Sequence, residues 1–531
     1  MSRRAAKRAC LAALLALSAS AQERPSEDDL FGSEDAPLEE ADAGVALVPD
    51  DVEPDAGELG GDARDQAQLA SGPLQSKFDT QEAVTDPLRI GGNLLMFGQA
   101  FFQEGRPFVE GSFSAPMLLD MYLDGRPNDR LRAYAVGRLQ FDPTRPVGDG
   151  SGASSTSAGT AGVGLTPATA ANPTVLLDQL WLRFDIARFV YFTIGRQKVR
   201  WGVSRIWYPT DFLNSQPRDA FNPFDVRLGV NMIKVHVPVE SLGWNFYGYG
   251  LLEGIEVDTT GMKLKHLGGA VRAEFVLGPA ELGLGGVWQE GRRQRYAVDL
   301  STALGPFDVY AEAAFRDARD FVRFSSPADL SQQNLVENVL LGNVTAHRDE
   351  GVMVQVSGGA SFSFNYTDKN LAIISAEYFY NPAGYERPVD YLLQTFGGQF
   401  LQQQLDPMQR VPLYQGRHNV GLTLAAPGLP GADWITVSLS NVVIISDPAA
   451  LTRLDVIFRV LNFLTVQAFG SVFYGQTGGQ LRFALEPKLI NDVANASEQT
   501  SPGSGEGVRD SLSTLRDPPL IQAGVMLRLA I

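Results

Sequence analysis

From Leu88 to the C-terminus the chain is a succession of segments of about 10–15 residues in which every second residue is apolar. Period two belongs to the extended strand, whose side chains alternate between two faces. Residues 130–142 show it most fully. Leu131, Ala133, Ala135, Gly137, Leu139 and Phe141 share one face, and Arg130, Arg132, Tyr134, Arg138, Gln140 and Asp142 share the other. Phe307, Val309, Ala311, Ala313 and Phe315 oppose Asp308, Tyr310, Glu312 and Arg316 in the same way. The last residues set Ile521, Ala523, Val525, Leu527, Leu529 and Ile531 against Gln522, Gly524 and Arg528. A water-soluble sandwich would alternate too, but its strands run to about 5–6 residues. A strand crossing a bilayer at a tilt needs about 9–11.

The connections between these segments narrow the choice further. Strands are expected near 88–104, 111–124, 130–142, 174–187, 188–199, 228–240, 242–254, 265–278, 280–290, 295–304, 306–317, 351–366, 369–381, 417–427, 432–446, 451–461, 463–476 and 519–531. Counted along the chain, every even-numbered connector is short, such as Gly125-Arg126-Pro127, Ala187-Arg188, Gly278-Pro279 and Asn462. The long excursions, 143–173, 200–227, 318–350, 382–416 and 477–518, are all odd-numbered. Short periplasmic turns and long outer loops are the signature of a transmembrane barrel. The bilayer core has no water to satisfy an open sheet edge, so the sheet must close on itself. The expected fold is therefore all-β: a transmembrane, antiparallel, up-and-down β-barrel of about 18 strands (16–18), with the C-terminal strand beside 88–104. Residues 479–486 also alternate, and parity places them as a hairpin extension inside the last outer loop. Trp181, Trp244, Phe246, Trp288 and Trp434 are candidates for interfacial girdles.

The first 87 residues have a different character. Arg3, Arg4, Lys7 and Arg8 precede a short apolar run, Leu11 to Leu17, and Ala19-Ser20-Ala21 supplies a small-x-small site. Residues 1–21 read as an export signal cut before Gln22, which would remove Cys10, the one cysteine. Residues 22–87 carry 19 Asp and Glu against Arg24, Arg64 and Lys77, so most of the net charge of −17 lies here. So polar a segment cannot bury enough apolar surface to offset its ordering entropy. It reads as an acidic, disordered periplasmic arm, and 88–531 as the barrel.

The segment Ile194 to Arg227, IGRQKVRWGVSRIWYPTDFLNSQPRDAFNPFDVR, runs GRQ-x-x-x-WG, then a loop with Asp and Asn-Pro, and is followed by a proline-bearing strand at His236-Val237-Pro238-Val239. This pattern resembles outer-membrane porin-like families. The resemblance implies a loop that folds partly inward; relatives are described as general porins, exporters of acidic polysaccharide and channels for hydrophobic compounds. Read from the residues themselves, Arg196, Lys198, Arg200 and Arg205 form a positive cluster, with Asp211, Asp219 and Asp225 following on the loop. Opposed charges across a narrow eyelet set size limits and ion preference; the same charges could instead pair with each other to hold the loop. Arg132, Arg138 and Arg183 fall on the polar, lumen-facing side of their strands. Arg293 and Arg295 read as residents of a short outer hairpin, exposed to bulk salt.

Catalytic motifs are absent from the sequence, and His236, His266, His347 and His418 lack ligand spacing, so no enzyme activity, cofactor or metal is expected. An acidic chain without a basic stripe argues against nucleic acid. The expected function is passive diffusion of small solutes through an outer-membrane channel constricted at the third outer loop. The alternatives are a structural or adhesive barrel acting through its outer loops, or an outer-membrane enzyme. Membrane lipid, lipopolysaccharide, the barrel-assembly machinery and small solutes are the expected partners, and the class accommodates homo-oligomers.

Overall fold

The computed structural model describes residues 87–148, 171–214, 221, 227–258, 261–367, 370–400, 413–500, 503 and 505–531. The export signal, the acidic arm up to Asp86, and Asp219 and Asp225 lie outside these residues.

Eighteen long strands form the wall: β1 (Leu88–Gln103), β2 (Met117–Asn128), β3 (Leu131–Phe141), β4 (Thr174–Ile186), β5 (Val190–Gln197), β6 (Val230–Val239), β7 (Trp244–Asp258), β8 (Gly261–Leu277), β9 (Ala280–Gln289), β10 (Arg295–Leu304), β11 (Phe307–Asp317), β12 (Val352–Asn365), β13 (Leu371–Tyr380), β14 (His418–Leu429), β15 (Ala432–Ile444), β16 (Ala449–Leu461), β17 (Leu464–Gly475) and β18 (Pro519–Ala530). Each pairs antiparallel with the one before it. The sheet then closes: Leu94 of β1 faces Leu529 of β18, and Gly92 and Ile531 exchange backbone hydrogen bonds of 2.9 and 2.8 Å. Closure leaves no strand edge unpaired, which the bilayer demands.

The connector parity holds. At one end the turns are tight, for example 129–130, 278–279, 305–306 and 462–463. In the turn after β4, Ala187 and Arg188 both have positive φ, 57° and 55°, the backbone of a hairpin turn whose twist matches its strands. The Asp185 carboxylate accepts the Arg188 N–H at 2.8 Å and holds it there. The long excursions all emerge at the other end.

The outward face is an apolar band that includes Leu180, Leu182, Ile194, Ile233, Leu300, Ile374, Leu422 and Leu454, all exposed. Aromatic clusters flank it. Near the tight turns stand Trp244, Phe246 and Phe275, then Phe307, Phe362 and Phe364, then Trp434 with Phe458. Trp288 and Tyr296 stand at the loop end. Trp181 departs from the girdle expectation. Its neighbours Leu180 and Leu182 take the outward face, so the indole turns inward against Tyr134, 5.3 Å between ring centroids.

Three of the long outer loops are folded over their described residues. They contain α1 (Leu335–Leu340), α2 (Pro388–Phe400), α3 (Pro487–Thr500) and α4 (Gly505–Ser513), plus a small hairpin of Arg323–Ser325 with Thr345–His347. Their apolar residues, among them Leu335, Leu392, Leu393, Leu489 and Ile490, share one core with the wall residues Phe379, Ile444, Leu451 and Phe473. Residues 479–486 join this core as irregular chain, not as a hairpin extension. Leu481, Phe483 and Leu485 are buried there, and the backbone N–H groups of Gln480 and Leu485 go to Asp447 and Leu515 instead of a strand ladder. Gln480 and Arg482 are buried as well, so the segment is enclosed on both sides and its alternation marks no strand.

Candidate functional site: the third outer loop and the wall it meets

The chain between β5 and β6 does not stay outside. It runs along the inner wall, and each step is fixed by a residue pointing inward from a different strand. Trp201 is buried against β9 in space left by Gly285, where a Cβ would come within 2.9 Å of the indole. Glu312 of β11 accepts the backbone N–H groups of Val203 at 2.8 Å and Ser204 at 3.3 Å. Glu377 of β13 accepts those of Arg205 at 2.8 Å and Trp207 at 2.9 Å, and also bonds Ile206. Ser357 and Tyr310 complete its shell, each donating at 3.0 Å. Trp207 then stacks on Phe379 at 5.7 Å and donates through Nε1 to Leu413 O at 2.8 Å. Buried carboxylates are costly unless fully bonded; these two are bonded by strings of loop amides.

Both ends of the loop are tied to one residue, Asp178. A bulge in β4 skips it in the pairing with β3, where Val136 faces Gln179 and Gly137 faces Leu177. The extra residue turns its carboxylate inward. Lys198 at the loop's start reaches it at 2.9 Å, Arg138 at 3.0 Å, and the Gly229 N–H at the loop's end lies 3.3 Å away. Arg138 also binds Asp120 at 2.8 Å.

The four bases read as one cluster are distributed. Arg196 pairs with Leu180, on the side of the wall that Leu180 and Ile194 expose, and bonds Leu177 O at 2.7 Å. Lys198 points in to Asp178. Arg200 lies over the Tyr208 ring at 4.4 Å, and Arg205 over Tyr310 at 5.4 Å. Asp211 bonds Arg227 at 2.7 Å and Asn214 at 2.8 Å, within its own loop. Asp219 and Asp225 fall outside the described residues. On the wall toward the tight turns, Arg132 pairs with Asp124 at 2.9 Å and Arg183 lies over Tyr191 at 5.7 Å.

Arg295 corrects an expectation. It is buried at the first position of β10, 5.5 Å from the Phe212 ring of the infolded loop. Alternation explains this, because exposed Tyr296 takes the outward face. Arg293, in the hairpin itself, is exposed and pairs with Asp320 at 3.1 Å.

Asp178 and Glu377 escaped the sequence reading. The bulge shifts the phase of the outward face, from Leu177 to Leu180, inside a run whose composition does not change. Glu377 carried a usable signal: it is an acid between Ala376 and Tyr378, on the face opposite Ile374, in an otherwise nearly apolar strand. Among the described residues no group of His, Cys, Asp or Glu is placed to hold a metal ion.

A closed antiparallel barrel with an apolar outer band, flanking aromatics, tight turns at one end and a charged interior is a transmembrane β-barrel of the outer-membrane class. No protein-family model and no curated protein matches the chain. Among solved structures it is similar to OccAB1 of Acinetobacter baumannii, at 10% identity over 84% of this chain and 96% of that one, with a TM-score of 0.45. It is also similar to OccK9 (OpdG) of Pseudomonas aeruginosa, at 11% identity over 84% and 97%, TM-score 0.44. OccK8 (OprE) of the same organism aligns at 7% identity over 84% and 98%, TM-score 0.44.

Proposed function

We propose that the protein is an outer-membrane channel for the passive diffusion of small solutes, and that the third outer loop forms its constriction. The observation that carries this reading is the attachment of Val203 to Trp207, which leave the wall at β5, to Glu312 and Glu377 on β11 and β13. A loop fastened there narrows the lumen and places Lys198, Arg200 and Arg205 with Asp178 and Asp211 beside the remaining passage. Asp219 and Asp225 belong to the same loop and enter the proposal with them. Arg132, Arg138 and Arg183 line the wall below. Fixed charges in so confined an aqueous space set ion preference. Residues 1–21 act as the export signal and 22–87 as a periplasmic arm. Lipid and lipopolysaccharide cover the apolar band, and the barrel-assembly machinery inserts the wall.

The shared core of the outer loops favours one second reading, a structural or adhesive barrel that works through those loops. Single-channel recording of purified protein in a planar lipid bilayer separates the two. Discrete, voltage-sustained conductance steps are expected. A folded, heat-modifiable protein that never conducts would leave the adhesive reading.

A further inference from the structure

The outward faces of β1 and β18 are apolar, as lipid requires, with Ile90, Val525 and Leu527 exposed. Over one short stretch the inward face is apolar too. Leu95 of β1 pairs with Leu118 of β2, and Phe97 of β1 with Met526 of β18. Alternation turns all four toward the lumen, yet they are only 2–7% exposed and form a cluster of their own. The two larger clusters take in loop residues such as Trp207 and Phe212, whereas no residue of a described loop joins this one. Water wets the inside of such a barrel, and its lining is ordinarily polar. Four apolar side chains turned inward and shielded from solvent call for a cover.

One segment of the chain has the reach. Pro87 O accepts the Arg126 N–H at 2.7 Å, so the chain enters β1 at the mouth with the tight turns. Leu95 and Phe97 follow 8 and 10 residues later, about 26–33 Å along the strand. Phe78 and Leu74 precede Pro87 by 9 and 13 residues, a length that extended chain carries about 30–45 Å.

The same segment has the chemistry. Phe78 is one of two aromatic residues between 22 and 87, and Asp79, Glu82 and Asp86 follow it with no base among them. The inner faces of β18, β1, β2 and β3 carry Arg89, Arg126, Arg132, Arg138 and Arg528 against Asp120 and Asp124, a net positive strip. Arg528 faces Leu95 across the ladder, and Arg89 lies six residues nearer the mouth.

We propose that residues 74–86 turn back at the periplasmic mouth and climb the inner wall as a tethered half-plug. Phe78 and Leu74 seat on Leu95, Phe97, Leu118 and Met526, and Asp79, Glu82 and Asp86 lie along the arginine-rich strip below them. Opposite charge fixes the register of such a contact. The tether makes binding intramolecular, so a small contact area suffices to hold the segment. The inference rests on the reading of 22–87 as an arm and deepens it, leaving the part before Leu74 in the periplasm.

Thiol labelling of the purified barrel in detergent with a small maleimide tests the seat. The chain has no cysteine after Cys10, so Leu118→Cys supplies a single thiol once the signal is cut. Slow reaction is expected, becoming at least tenfold faster when Leu74→Asp and Phe78→Asp are added, or when residues 74–86 are deleted. Fast labelling without those changes overturns the proposal. So does slow labelling in all three proteins, which would assign the cover to another part of the chain. Folding is checked by heat-modifiable migration, and Phe97→Cys replaces Leu118→Cys if the latter fails that check. Trypsin reads the arm separately: cleavage after Arg64 with protection after Lys77 is expected. Cleavage after both removes the seat and keeps the arm, whereas protection of both overturns the arm reading on which the proposal rests.

Discussion

Glu377 accepts the backbone N–H of Trp207 at 2.9 Å, joining β13 to a loop residue 170 positions earlier. The same carboxylate takes the amides of Arg205 and Ile206. Glu377→Gln replaces one acceptor oxygen by a donor, which then faces loop N–H groups. Each buried donor left unbonded costs about 1–3 kcal/mol. The released loop should become roughly 5–150 times more populated. Single-channel recordings are expected to show higher conductance and more open-state noise, with wall folding intact by heat-modifiable migration. Parental conductance and noise would mean that the loop is held elsewhere.

Gly421 of β14 faces Glu377 across the strands and leaves room for the loop segment that Glu377 binds. A Cβ at Gly421 would stand 2.2 Å from Ile206 Cδ1 and 3.3 Å from the Trp207 ring. The tip of Ile206 can give way to a methyl, so Gly421→Ala should be mild. Gly421→Leu should unseat the loop at an overpacking cost of about 1–3 kcal/mol. Because it breaks the same attachment as Glu377→Gln, the double variant should conduct like the single ones instead of adding their effects. Additive conductance changes would show two independent contacts.

The wall was legible because lipid on one side and water on the other force an unbroken period of two, and because parity separates tight turns from long loops. Leu180 and Leu182 show the rule holding residue by residue. What escaped was whatever breaks that period or depends on distant contacts. The bulge at Asp178 changes phase without changing composition, and the inward face of Trp181 follows from its neighbours, not from its own chemistry. The pairing of Glu377 with Arg205 to Trp207 spans more of the chain than any local pattern reaches. The basic residues from Arg196 to Arg205 looked like one cluster because they are close in sequence. The structure sends Arg196 to Leu177 O, Lys198 to Asp178, and Arg200 and Arg205 to tyrosine rings. Residues 479–486 alternate like a strand, yet Gln480 and Arg482 are buried with Leu481, Phe483 and Leu485 in an irregular segment that the loops enclose.

Asp447, in the outer turn between β15 and β16, fastens two loops together. It accepts Tyr385 OH at 2.7 Å and the Gln480 N–H at 3.1 Å, with no exposed surface. Burial pushes its carboxyl from 3.8 up to about 6, against the pull of those two bonds. The seated loops therefore bind a proton that the released loops give up, and their stability falls as pH rises from about 4 to about 6. The loss amounts to roughly 3 kcal/mol and is complete by neutral pH. Hydrogen exchange at the Gln480 amide should be slowest near pH 4, once corrected for intrinsic rates, and the gradient should vanish in Asp447→Asn. A corrected rate that is flat with pH in the parent would refute the linkage.

The charges beside the infolded loop should decide ion preference. Lys198 lies 2.9 Å from Asp178, which Arg138 also binds, and Arg200, two residues on, lies over the Tyr208 ring. In a confined lumen the effective dielectric is far below that of water, and a unit pair 4 Å apart interacts with about 4 kcal/mol at an effective value near 20. Lys198→Glu with Arg200→Glu should therefore move the reversal potential toward cation selectivity under a salt gradient. It should also raise conductance and open-state noise, because the new carboxylate at 198 repels Asp178 and loosens the loop's start. Arg293→Gln is the matched control, since that side chain is exposed in the hairpin between β9 and β10 and bulk salt screens it within about 8–10 Å. Arg295 cannot serve as a control, because it faces the lumen beside Phe212. A double variant with the parent's selectivity would reduce Lys198 and Arg200 to fasteners of the loop and place the selective charges elsewhere along the wall.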